Sequence, residues 1–145
     1  MPTTLGPKYS TAWRGRPPHM LAPDIPVWYR FLEEWAGQFV AIYYDCLLGG
    51  PGETENDDTD KMAKMWRALT SKRADVIAET KDEVWIIEVS ANPGMRALGQ
   101  LLTYETLWKE DPKIDKPVVK VLVGDQIDPD VRVSFKPYGV VLYLV

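Results

Sequence analysis

A chain of 145 residues, 46% of them hydrophobic, suffices for one domain with its own core and needs neither a disulfide nor a structural metal to fold. Its formal net charge of −4 supplies no global attraction to nucleic acid, which counts against a non-specific DNA-coating protein and leaves a local patch open. The single cysteine, Cys46, excludes an internal disulfide and fits a reducing, intracellular setting. No apolar run reaches the roughly 18 residues of a membrane span, and the N-terminus lacks a signal-peptide core, so no membrane association is expected.

Residues 1–23 read as an extended arm. Pro2, Gly6, Gly15, Pro17, Pro18 and Pro23 punctuate it without any period. The arm carries Lys8, Arg14, Arg16 and His19 and no acid. Trp13 and Met20 need cover, either from this domain or from a protein partner.

Asp24 is a good N-cap, and Pro26 is tolerated in a first helical turn. Ile25, Trp28, Leu32 and Trp35 then follow at helical spacing, and Gly37 marks a stop. Phe39–Leu48 is an apolar, aromatic run with strand character, ended by Gly49-Gly50-Pro51-Gly52. The acidic run Glu53, Glu55, Asp57, Asp58 and Asp60 reads as a solvated loop. Met62, Met65, Trp66 and Leu69 predict a short helix packed on the core.

Arg73–Thr80 and Glu83–Ser90 are two strands joined at Lys81-Asp82, a hairpin-length link. The second is apolar on both faces except at Glu88, the pattern of a central strand covered on both sides. Gly94–Lys109 places Ala97, Leu101, Tyr104 and Trp108 on one helical stripe, with Leu98 beside it. Pro117–Gly124 is another apolar strand. Asp128–Pro137 predicts a short helix that starts at Pro129, and Val140–Val145 a last strand. A helix linking two apolar strands predicts a parallel, right-handed crossover. The whole predicts a mixed sheet with helices on both faces.

Asp75 on one strand and Glu88 on the next can hold a hard cation between them. Side chains two apart on a strand share a face, so Glu88 and Ser90 point together. Magnesium accepts two carboxylates, a backbone carbonyl (that of Val89) and waters. The same carboxylates also fit a structural reading, Glu88 paired with Arg96, or with Arg73 alongside Asp75. Gln100 and Tyr104 equally fit ordinary helix positions. His19 is the only histidine, so a histidine-based site or a zinc site is not expected.

The element order and these residues resemble the PD-(D/E)XK nuclease superfamily. Asp75 stands at the family's first acid. Glu88-Val89-Ser90 stands at its Asp/Glu-x-Lys motif, with Ser90 in the lysine position. Gln100-Leu101-Leu102-Thr103-Tyr104 is similar to the Q-x-x-x-Y helix motif of the RecB-like branch, and Glu33 or Glu34 stands where many members carry a helix-borne glutamate.

The resemblance implies an α/β fold with a restriction-endonuclease-like core, an αβββαβ mixed central sheet flanked by helices plus a short helix and a last strand. It spans 24–145, with 49–72 as an insertion. It implies magnesium- or manganese-dependent hydrolysis of DNA at Asp75, Glu88 and Val89, with Ser90, Gln100, Tyr104 and Glu34 around them. Ser90 cannot supply the lysine's charge. Arg96, Lys81, Lys72 or a second metal could replace it. The alternative is an inactive nuclease-fold module with an assembly role, such as a phage head-completion or neck protein in a virion, working as an oligomer or larger complex with a partner held by the arm. A third arrangement is a subunit whose partner supplies the cation.

Overall fold

Strand β4 (Val84–Ser90) is buried along nearly its whole length, because both faces of this apolar run are covered by helical layers. The computed structural model describes residues 3–50, 61–62, 65 and 72–145. Around β4 runs a six-stranded sheet in the order β1 to β6. Its other strands are β1 (Lys8–Tyr9), β2 (Phe39–Leu48), β3 (Lys72–Thr80), β5 (Val118–Gly124) and β6 (Val141–Leu144). Each neighbouring pair among the first four strands is antiparallel, while β5 and β6 run parallel to β4. The protein is therefore α/β with a mixed sheet, and the parallel β4–β5 pair follows the predicted crossover.

Helix α1 (Ile25–Trp35) buries Val27, Trp28, Phe31 and Leu32 against one face of the sheet. Trp28 Nε1 donates to the Tyr44 hydroxyl at 2.9 Å, so the buried indole N–H of α1 is satisfied from β2. The helix ends at Trp35, and Gly37 sits inside a 3₁₀ turn (Ala36–Gln38) that leads directly into β2. Helix α2 (Met95–Glu110) covers the other face with Ala97, Leu101, Tyr104 and Trp108, the stripe read from the sequence. Helix α3 (Pro129–Phe135) begins at Asp128, whose side chain accepts from the amides of Asp130 and Val131, and adds Phe135 to that second core. Gly139, at φ +70°, ends the following 3₁₀ turn and admits β6.

The arm is folded onto its own domain. Lys8–Tyr9 pairs with β2, Thr4 bridges to Leu47, and Met20 is buried in the α1 core. Tyr9 and Trp13 pack on each other and on Tyr44. Of the two expected sources of cover for Trp13 and Met20, this domain supplies it. The acidic run 53–60 and most of the helix expected over 62–69 lie outside the described residues. Met62 and Met65 are exposed, so neither is the core residue that the stripe suggested. None of the described helices is long and apolar enough to cross a membrane.

Candidate functional site

Besides a register shift between Phe39 and Ala41, the regular alternation of β2 and β3 breaks at the level of Asp45. Tyr44 and Cys46 are two residues apart, yet they enter opposite cores, and so do Val76 and Ala74 paired with them. Between these two pairs lie Asp45 and Asp75. Asp45 holds φ +53°, a conformation uncommon for a residue other than glycine and frequent at functional sites. Its carboxylate takes Arg73 Nη1 at 2.7 Å and also meets the imidazole of His19.

Asp75 and Glu88 meet beside this kink. The Val89 amide donates to Asp75 Oδ2 at 3.0 Å, and the Asp75 amide donates to Glu88 Oε1 at 3.4 Å. Glu88 is only 7% exposed. Burial pushes its carboxyl up to about 9, with the Asp75 charge adding to the effect. Burial likewise pushes Asp75 up to about 6, opposed by the Val89 amide. Among the described residues neither carboxylate forms an ion pair, so the structural salt-bridge alternative for the pair is not what the side chains do. Buried acids without a cation share a proton.

The pair opens on a cleft of about 290 Å3 lined by His19, Leu21, Asp24, Asp75, Glu88, Val89, Ser90, Arg96 and Gln100. The end of β4 supplies Glu88 to Ser90, and the first turns of α2 supply Arg96 and Gln100. Tyr104 is buried one turn further along α2. Burial, and then the Glu88 and Asp75 charges, raise its hydroxyl, while neighbouring Gln100 acts in the opposite direction. Arg96 is exposed at the rim. Lys72 lies in an adjoining recess, whereas Lys81 sits in the β3–β4 hairpin turn beyond Thr80 and does not line the cleft.

Two predicted placements change. Glu34, like Glu33, is exposed near the end of α1 and does not line the cleft, because the buried face of that helix is taken by aromatic and aliphatic side chains. The carboxylate contributed from the start of α1 is Asp24. Its side chain does not cap the helix; Oδ1 instead accepts from the Ala91 amide at 2.8 Å, just past the end of β4. The Asp24 charge raises both Asp75 and Glu88. The second addition is His19, which the folded arm carries to the cleft wall. An acid at a cap position was a visible signal for Asp24, but nothing local marked His19.

Among the described residues no three His, Cys, Asp or Glu side chains are grouped to hold a metal ion on their own. No family model matches the chain, and neither does any curated protein or solved structure.

Proposed function

We propose that this protein hydrolyses phosphodiester bonds of DNA with the help of magnesium or manganese, on a restriction-endonuclease-like core. The observation that carries this reading is the Asp75–Glu88 pair, one buried and one half-buried carboxylate facing an open cleft, neither in an ion pair among the described residues. Like charges held together at such cost to the folded state are characteristic of sites that await a cation. The donor set fits a hard metal. Magnesium is commonly bound by one or two carboxylates and completes its octahedron with waters and substrate phosphate oxygens, so a third protein carboxylate is not required.

Asp75 and Glu88 would hold the ion, with the Val89 carbonyl beside them. When bound, the metal would polarise the phosphate and promote ionisation of the attacking water. The remaining work falls to the chain itself. Asp24 adds negative potential that favours a cation in the cleft. Arg96 supplies, from the rim, the positive charge that Ser90 lacks, and its planar guanidinium suits two non-bridging phosphate oxygens. Gln100, which lines both the cleft and the recess beside it, is placed to position a water or phosphate. Water adds to phosphorus, the bond to one ester oxygen breaks, and that oxygen leaves with a proton.

Incubating the purified protein with plasmid and linear DNA in magnesium or manganese tests the reading. Cleavage should depend on the metal and fall by about two orders of magnitude or more in Asp75→Asn and in Glu88→Gln. Absence of cleavage by the wild-type chain in either metal would overturn it, whether or not the metal binds.

One observation favours a second reading, an inactive module of the same fold with an assembly role. Ser90 stands where a lysine would serve, and Arg96 at the rim makes no ion pair with either carboxylate. Under that reading metal binding persists without cleavage. Replacing Ser90 by lysine would then be expected to create activity.

A further inference from the structure

We propose that the recess next to the carboxylate cleft seats the sugar-phosphate chain of a single-stranded nucleic acid, on one side of the phosphate that is cut. This rests on the hydrolytic reading above and adds to it the form of the substrate. The recess has a volume of about 550 Å3 and is lined by Lys72, Arg96, Gly99, Gln100, Thr103 and Tyr104. Arg96 and Gln100 also line the cleft, so the two cavities share a wall.

The two neighbours differ in charge. The cleft holds Asp24, Asp75 and Glu88, while among the described residues the charged side chains lining the recess are Lys72 and Arg96. These cations come from separate elements, the first residue of β3 and the first turn of α2. Among the described residues neither is engaged in an ion pair. A cationic recess abutting an acidic, metal-seeking cleft matches a chain of phosphates. One phosphate meets the metal, and the next is neutralised by Lys72 and Arg96.

The floor of the recess is shaped for close approach. Arg96, Gly99, Gln100 and Thr103 lie on one flank of α2, and a Cβ built at Gly99 would meet nothing within 4 Å. The missing side chain therefore leaves space in the recess and serves no packing need there. The Thr103 hydroxyl is turned back to the Gly99 carbonyl at 2.8 Å, so the donors facing a phosphate are those of Lys72, Arg96 and Gln100. The walls favour a single strand. Buried Glu88 and half-buried Asp75 face a cleft lined by His19 and Leu21 of the arm on one side and by Arg96 and Gln100 of α2 on the other. A stiff duplex carries its phosphates on the outside of a rod and cannot thread one between these walls, whereas a single strand bends into them.

The test uses the full-length chain and two variants outside the proposed catalytic set, Lys72→Glu and Gly99→Trp. Their folding is checked by circular dichroism and melting. Binding of a labelled oligothymidylate of about 12 nucleotides is followed by fluorescence anisotropy over a range of salt. Lys72→Glu should weaken binding about ten-fold or more and lower the log–log salt slope by at least the ~0.7 expected for one phosphate contact on a single strand. Gly99→Trp should block the recess and weaken binding comparably. Wild-type hydrolysis of bis(p-nitrophenyl) phosphate, which is too small to need the recess, is followed in parallel and reports on the hydrolytic reading by itself.

Variants that bind and cut the oligonucleotide like wild type would overturn the proposal while leaving the hydrolytic reading intact. So would a duplex bound as tightly as the single strand. A wild-type chain that hydrolyses neither substrate defeats the hydrolytic reading alone. The anisotropy comparison still decides the recess.

Discussion

Replacing Glu88 by glutamine should make the metal-free protein more stable, and increasingly so as pH rises. Glu88 is 7% exposed and is raised from 4.5 to about 9 by burial and by Asp75. At about pH 7 the folded state keeps this carboxyl protonated, while in the unfolded chain it is ionised. The two and a half units between 4.5 and pH 7, at about 1.4 kcal/mol per unit, correspond to a cost of roughly 3 kcal/mol. Glutamine has no proton to retain and escapes this cost, so a gain of about 1–3 kcal/mol is expected after some loss of hydrogen-bond geometry.

The sign follows from the raised folded-state value. A carboxyl raised on folding contributes nothing adverse below its unfolded value, and stability drains away as pH climbs toward the folded one. The two proteins should therefore match near pH 4.5 and diverge up to about pH 9. Urea unfolding in chelator, at several pH values across that range, measures the difference. A Glu88→Gln protein that is destabilised by about 3 kcal/mol or more at pH 8 would refute the reasoning. That is the result expected when a buried ion pair loses one partner.

Asp24→Asn keeps an acceptor for the Ala91 amide but removes a negative charge. It should leave the melting temperature within a few degrees of wild type and lower magnesium affinity, read by titration calorimetry. Tyr44→Phe leaves the buried Trp28 Nε1 without its acceptor and should cost about 1–3 kcal/mol in chemical denaturation. Deleting residues 3–23 exposes one edge of β2 and uncovers the α1 core at Met20, Tyr9 and Trp13. The truncated chain should lose several kcal/mol or become insoluble, measured by unfolding and light scattering.

Periodicity made most of the fold legible. The α2 stripe at Ala97, Leu101, Tyr104 and Trp108 and the doubly covered β4 follow from spacing that neighbouring residues impose on each other. Strand β1 escaped because two residues carry no alternation to detect, and its pairing is decided by β2, far along the chain. The site divides in the same way. Asp75 and Glu88 are adjacent because a short hairpin joins their strands, a local fact. Asp24 was legible as a helix start, but its carboxylate serves a backbone amide 67 residues away. His19 reaches Asp45 across 26 residues through an arm with no period of its own. The kink at Asp45 and Asp75 was also hidden, because the unusual backbone at Asp45 is held by tertiary contacts from Arg73 and His19 rather than by its neighbours in sequence.

The central claim is that Asp75 and Glu88 form a pair that exchanges a shared proton for a divalent cation. Calorimetric titration with magnesium and with manganese, at about pH 7 in two buffers of different ionisation enthalpy, tests it most directly. The account predicts one bound metal accompanied by release of about one proton, both abolished in Asp75→Asn. No binding at millimolar metal, or binding that releases no proton and survives the substitution, would contradict it.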